Sequence, residues 1–563
     1  MKSTKLFFVL FFLGVTVWSQ NAIPTDYFSS PLDIPLILSG SFGELRSNHF
    51  HSGFDIKTKQ REGLPIFAPA DGYVNRIKVA HYGYGKALYI QHPNGYGTVY
   101  AHLQKYAGAI EKYVKDNQYK KETFEIELFP DATMLPVKKG ELIGYTGNSG
   151  SSGGPHLHFE IRDSAERPMN PMLFGINIPD SKNPLVNSVF AYPIADDAQV
   201  NNSQNPVKLK LKLQNDGNYI AEKVTAYGRI GFGVSTNDQL DGASNKNGVY
   251  QIKTVYNGAE QFTVLFDKFS FDETRYLNRF IDYDYFMSNK SRVQKLFRQT
   301  NNPLSIITHE IDNGYVVVED SLNSMYTIEI KDFMQNTVTV SVPIEGKKSE
   351  TLEQKISKKT EDYIYADQGT SITKGKFNVY IPSGSLYEDA FLEIKVDGDV
   401  LTFHEDVIPI HKNITITVDA SNYKEEDLDK LYIGRLNYRG KAYYTTTSRN
   451  GSKLSARIRT FGNYTIASDT VAPSIKPLNF EDGKWISKND TLELKIEDDS
   501  SGISNYRATI NGKFILLEYN YKKDVVTYNF TDNVIIESEN KLKLIVTDNV
   551  GNSATFEATF FRK

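Results

Sequence analysis

The stretch His156-Leu157-His158-Phe159-Glu160-Ile161-Arg162 is where the reading of this chain begins. Residues of this kind alternate as a strand does, so His156, His158 and Glu160 fall on one face and Leu157 and Phe159 on the other. Two imidazoles are therefore presented together. The Gly-rich loop 147–155 that delivers this strand lacks the Lys-Ser/Thr ending of a phosphate-binding loop and reads as a groove wall. Outward from it, Tyr100-Ala101-His102-Leu103 places a histidine at the exit of another strand, on the face that also carries Tyr100. Further upstream, the segment Arg46 to Asp55 sets a carboxylate four residues after His51. In an extended chain His51 and Asp55 share a face while Phe50 and Phe54 turn into the core, and Gly53 lets the backbone come close.

Such a set suits zinc, whose catalytic sites use three nitrogen or oxygen ligands and keep a fourth position open. His51, Asp55 and one histidine of the 156/158 pair fill three positions. His102 and the other histidine remain for proton transfer and for stabilising a developing oxyanion. A Glu beside these histidines does not make a His-Glu-x-x-His helix, so Glu160 is read as a contact behind the ligands rather than as a base.

The combination His51-Ser52-Gly53-Phe54-Asp55, then Tyr100-Ala101-His102-Leu103, then Gly154-Pro155-His156-Leu157-His158 resembles the M23 family of zinc metallopeptidases, also called lysostaphin-like or LytM-like. The resemblance covers about residues 40–175. It implies His51, Asp55 and His158 as zinc ligands and His102 and His156 as catalytic histidines, with no position of that set missing. It also implies a small antiparallel β-sheet with a groove, and peptidoglycan stem peptides or cross-bridges as the substrate of a metalloendopeptidase. Two rival readings stand beside it. One is a non-catalytic LytM-like scaffold that binds wall peptides or activates other wall hydrolases. The other is an adhesin working through the later modules, and a chain cut after residue 185 separates these, since a peptidase should survive the cut.

The 563 residues exceed what one core organises, and the richness in Tyr, Phe, Asn and Thr favours β-structure. The expected fold class is mainly β, an N-terminal antiparallel sheet domain followed by about three β-sandwich modules. A net charge of −4 gives no footprint for nucleic acid. Lys2 and Lys5 before the apolar run Leu6 to Trp18 read as a cleavable signal over residues 1–19, which places the mature chain in the periplasm, the cell envelope or outside the cell, with no span across the bilayer. The first domain then spans residues 20–180, with an inserted piece at 107–136 that contains a helical segment, Glu111 to Glu122. Alternating runs mark β-modules over 185–345, 360–468 and 469–563, the first with a partly helical interlude, and these offer a surface for a protein partner. The last module opens at Asp469, carries Asp498 to Ile503 and closes on Asp548-Asn549-Val550-Gly551-Asn552, features that resemble bacterial immunoglobulin-like domains. Asp332 and Asn336 repeat that closing only faintly.

The other histidines read as structural or solvated. His49 lines the groove, His81 and His92 sit near turns, and His309, His404 and His411 lack partners at metal spacing. Arg46, Asn48 and Arg162 flank the motifs as charged or polar neighbours.

Overall fold

The computed structural model describes residues 23–355 and 359–563, so the expected leader at 1–19 lies outside the described residues. The first domain is built on strands β1 (Leu38–Gly40), β2 (Phe54–Lys57), β3 (Pro65–Phe67), β4 (Gly72–Val79), β5 (Lys86–Gln91) and β6 (Gly97–Ala101). They are followed by β7 (Lys105–Tyr106), helix α1 (Gly108–Lys121), β8 (Ile126–Leu128), β9 (Pro136–Val137), β10 (Leu142–Tyr145), β11 (His156–Arg162) and β12 (Pro168–Met169). The main sheet runs β1-β2-β11-β6-β5-β4-β8, with β9 and β12 added at β4 and β11, and a small sheet β3-β10-β7 lies apart from it. β11 is central and antiparallel to both neighbours. Its side chains are buried on both faces from Leu157 onward, which is how a polar cluster comes to sit inside a sheet.

Register fixes which residues meet. His158 stands opposite Asp55 on β2 and Ala101 on β6, while Phe159 stands opposite Phe54 and Tyr100. Cross-strand partners share a face, so Phe54, Phe159 and Tyr100 line the core and Asp55 and His158 face the other way. Tyr100 thus lies on the side opposite the histidine pair, with its hydroxyl 2.9 Å from Thr98 Oγ1. His102 escapes the strand's alternation because it follows the end of β6 with a left-handed φ of 61°, a region that His tolerates better than most residues.

The inserted piece holds α1, which ends at Glu122 in a left-handed cap. None of its residues lines the groove. The helix seats the last module instead: Tyr119 donates to Asp532 Oδ2 at 2.6 Å, and Lys115 pairs with the same carboxylate. The last module also reaches the groove wall, with Lys522 Nζ donating to Asn148 O at 2.7 Å and Tyr521 OH to Gly150 O at 3.2 Å. The chain therefore closes on itself.

After residue 185 the chain forms a large β-network from Leu185–Pro193 to Thr337–Gly346, interrupted by short helices at Leu277–Phe280 and Tyr283–Asn289. The run Val207 to Leu213 is two short strands with different neighbours rather than one. This network and the first domain share a single hydrophobic core, where Phe42 stacks on Phe269 at 5.2 Å and Phe50 lies 5.5 Å from Phe269. In each of the last two modules a pair of main sheets contributes to one core, the arrangement of a sandwich. Arg275 donates to Ile410 O at 2.8 Å and Arg279 pairs with Glu388 at 2.7 Å, tying the second module to the first.

Candidate metal centre

His51 does not reach the site along a strand, since β2 begins only at Phe54. Its backbone is pinned instead to the preceding loop, with Gly43 N donating to His51 O and His51 N to Glu44 O, both at 2.9 Å. Gly53 then brings the chain against β11: a Cβ there would lie 2.2 Å from Phe159 O. Phe50 and Phe54 point into the core as their apolar character requires.

Three groups converge. His51 Nε2 lies 3.0 Å from Asp55 Oδ1 and 3.1 Å from His158 Nδ1, and His158 Nδ1 lies 2.9 Å from Asp55 Oδ1. The outer nitrogens are engaged behind them: His51 Nδ1 donates to Ser41 O at 2.7 Å, and His158 Nε2 donates to Glu160 Oε1 at 2.8 Å. These partners aim His51 Nε2, His158 Nδ1 and one carboxylate oxygen at a common point, a triangle close to the roughly 3.3 Å edge of three ligands on tetrahedral zinc. His156 approaches differently, with Nδ1 donating to Gly154 O at 2.8 Å and Nε2 standing 3.3 Å from Asp55 Oδ1. His102 Nδ1 donates to Ser149 O at 2.9 Å, and its ring centre lies 4.7 Å from that of His156.

The field at the common point favours positive charge. Burial opposes the charge on Asp55, yet His51, His156 and His158 around it hold its carboxyl well below the usual carboxylate range. Burial likewise opposes a charge on His158, but the hydrogen bonds it donates to Asp55 and Glu160 outweigh it and raise its pKa to about 9. A proton is thus bound tightly where a cation would stand. Burial, with His158 and His156 nearby, depresses His102 to about 3.

Behind this triangle, buried Glu160 accepts from Ser52 Oγ at 2.6 Å, from Arg162 Nε at 2.6 Å and from the Tyr84 hydroxyl. Burial opposes its charge, and Arg162 with His158 keeps it ionised. Arg46 links Glu44 Oε2 and Asp55 Oδ2 at 2.9 and 3.0 Å. His51, Asp55, His158, His102, His156 and Arg46 line a groove of about 920 Å³. One of its walls comes from beyond residue 185: Phe271 stacks against Arg162, its ring centre 4.7 Å from the guanidinium carbon, and Thr274 Oγ1 accepts from Phe50 N at 2.8 Å.

The remaining histidines lie elsewhere or outside the triangle. His49 lines the groove and its Nδ1 donates to Ser47 O within its own loop. His92 is packed between Asp71 O and Thr98. His81 stacks on Phe124 at 5.0 Å and faces Tyr506 of the last module. Tyr84, Ser41, Phe271 and Thr274 carry no motif, and only their place in the fold brings them to the site.

The profile of peptidase family M23 matches residues 49–119 and 133–171, interrupted inside the inserted piece, and a Zu5-like profile matches residues 361–469. The chain carries an M23 peptidase domain. The M23 domain is 34% identical over 136 residues to the DD-carboxypeptidase/endopeptidase Mpg of Neisseria meningitidis serogroup B, covering 24% of this chain and 25% of that protein. It is 30% identical over 154 residues to the peptidoglycan DD-endopeptidase ShyC of Vibrio cholerae serotype O1, covering 26% and 29%. Among solved structures, the catalytic domain of lysostaphin from Staphylococcus simulans matches at 23% identity and a TM-score of 0.19, covering 24% of this chain and 90% of that one. The matched segment spans a quarter to three-tenths of the two curated relatives. Among the described residues no helix is long and apolar enough to cross a membrane.

Proposed function

We propose that this chain is a zinc-dependent endopeptidase of the cell envelope that hydrolyses peptide cross-links of peptidoglycan, with His51, Asp55 and His158 as metal ligands and His102 and His156 as the catalytic histidines. The observation that carries the reading is the convergence of His51 Nε2, Asp55 Oδ1 and His158 Nδ1 within 2.9–3.1 Å of one another at the floor of a groove. Two matched relatives bear names that specify DD-bonds, and this supports a DD-cross-link as the target.

Zinc bound at this triangle would supply Lewis-acid polarisation of a carbonyl and acidification of a water. The chain's own residues do the rest. Burial depresses the pKa of His102 and so favours its neutral imidazole, and its Nδ1–H is committed to Ser149 O. Its Nε2 is therefore the atom free to take a proton. His156, oriented through Nδ1 by Gly154 O, turns Nε2 toward Asp55 and the groove, where it can donate to an oxyanion. Glu160, held by Arg162, Ser52 and Tyr84, keeps His158 in the tautomer that leaves Nδ1 for the metal.

Zinc content and the fragments released from purified sacculi, read by mass spectrometry, test the proposal together. One zinc per chain with muropeptide release, both lost in His158→Ala, is the expected result. Zinc-loaded protein that releases nothing would leave a non-catalytic wall-binding role instead.

A further inference from the structure

A second group of carboxylates lies at the seam between the M23 domain and the module that follows. Asp180, Asp238 and Asp332 each offer an oxygen within 4.8 Å of the others. Asp238 and Asp332 are each only 2% exposed. Asp238 Oδ1 and Asp180 Oδ2 have no hydrogen-bond partner, and both residues line a small cavity of about 30 Å³. Beside them Asn247, 2% exposed, has no partner for either its Oδ1 or its Nδ2. Its backbone is paired with that of Asp238 through two N–H to O bonds of 2.8 Å, so the two side chains leave the same face.

Buried polar atoms without partners are costly, and three clustered carboxylates more so. Burial, then the charges of its neighbours, raise Asp238 to about 8, and burial with Asp180 raises Asp332 to about 6. Such a pocket either keeps protons or exchanges them for a cation.

A comparison inside the same chain separates a satisfied triad from an unsatisfied one. In the last module Asp469, Asp498 and Asp548 form a matching group. Asn552 donates to Asp548 through its backbone N at 2.8 Å and Nδ2 at 2.7 Å, and to Asp469 O at 3.0 Å. Asn336 does the same to Asp332 at 2.9 and 2.6 Å, and to Asp180 O at 3.3 Å. The faint sequence echo at Asp332 and Asn336 is thus a repeated frame. The two frames differ at the remaining carboxylates. Asp469 Oδ2 accepts from Ser501 N and Oγ, and Asp498 Oδ1 accepts from Ser500 N and Gly502 N. Asp180 Oδ1 keeps a donor, Lys182 N at 3.1 Å, but Asp180 Oδ2 and Asp238 Oδ1 have no counterpart of these bonds.

We propose that Asp180, Asp238 and Asp332, with the side-chain carbonyl of Asn247, bind one Ca²⁺ that clamps the M23 domain to the following module. The donors are all hard oxygens, and two oxygens on one Ca²⁺ stand up to about 4.8 Å apart, twice a bond of about 2.4 Å. The site also touches the metal centre through one residue. Ser41 lines the cavity, its Oγ accepts from Gly248 N at 2.9 Å, and its carbonyl holds His51 Nδ1. Ordering of the Asp238 to Gly248 loop by the ion therefore steadies a zinc-ligating imidazole.

The test uses the full chain, stripped of metal by dialysis, reloaded with one equivalent of Zn²⁺ and titrated with CaCl₂ to about 10 mM, beyond the weakest affinities of extracellular calcium modules. Equilibrium dialysis should find one Ca²⁺ bound at this site, and the melting temperature should rise saturably with Ca²⁺. Asp238→Asn should abolish that rise, and without Ca²⁺ it should melt no lower than wild type because it removes one of three repelling charges. Asp498→Asn, in the satisfied triad, should leave the rise in place. Absence of a Ca²⁺-dependent rise in wild type, its survival in Asp238→Asn, or its loss in Asp498→Asn overturns the proposal. If Asp238→Asn does not fold, Asp332→Asn takes its place under the same criteria.

Discussion

His158 faces Asp55 directly across two antiparallel strands, with Nδ1 2.9 Å from Oδ1, while its other nitrogen is held 2.8 Å from Glu160 two residues along the same strand. One ring is thus gripped from both sides by carboxylates, one facing the groove and one behind. If zinc fills the proposed site, its affinity depends on a residue that does not touch it. Glu160→Gln keeps the shape but weakens the acceptor, and it should lower zinc affinity about 10- to 100-fold. Competition against a chelating dye measures this, and an unchanged affinity would remove Glu160 from the positioning role.

The same grip makes zinc uptake depend on pH. Without metal, burial disfavours a charge on His158, but Asp55 and Glu160 prevail and its pKa stands at about 9 against an ordinary 6.5. Zinc must displace that proton. Below pH 9 the apparent affinity should therefore rise about tenfold per pH unit, with close to one proton released per zinc from this group at pH 7. Calorimetry in buffers of different ionisation enthalpy counts the protons. The sign for stability is the opposite: a raised folded-state pKa means that the metal-free chain holds this contribution in full below about 6.5 and loses it as pH rises through 9. Metal-free melting temperatures should accordingly fall between pH 6.5 and 9.

Gly53 sets the approach of β2 to β11. With its Cβ position 2.2 Å from Phe159 O, Gly53→Ala forces the strands apart at the point where His51, Asp55 and His158 meet. A loss of about 1–3 kcal/mol in unfolding free energy is expected, the range for overpacked interiors. Zinc should be lost at the same time. A variant with native denaturation midpoint and full zinc content would show that the strands can give.

How much of this was legible beforehand follows from how local each interaction is. His51, Asp55, His102, His156 and His158 sit in three short motifs, and the alternation of β11 correctly joins His156 and His158 to one face. Parity gave the right outcome for His51 and Asp55, although His51 arrives on a loop pinned to Gly43 and Glu44. It failed at His102, which turns through a left-handed φ, so Tyr100 ends on the far face. Ser41, Tyr84, Phe271 and Thr274 were invisible because ordinary residue types acquire meaning only when distant segments meet. The echo at Asp332 and Asn336 was readable, but its completion by Asp180 and Asp238 depends on tertiary structure.

The expected boundary near residue 185 runs through a shared hydrophobic core. A free-standing M23 domain would survive a cut there, but here Phe42 and Phe50 are buried against Phe266 and Phe269, Phe50 N donates to Thr274, and Ser41 holds Gly248. Exposing the two domain-side phenylalanines alone costs about 1.5–3 kcal/mol each, comparable to much of a domain's net stability. A chain ending at 185 should therefore melt early or aggregate and fail to retain zinc, whereas a chain ending at 355 keeps the whole shared core and should hold zinc as the full protein does. Circular dichroism melting and metal analysis of the two fragments decide the matter. A cooperative, zinc-loaded fragment ending at 185 would show that the shared core is dispensable, and the wall supplied by Phe271 and Thr274 would then be an accessory to the groove rather than part of the folding unit.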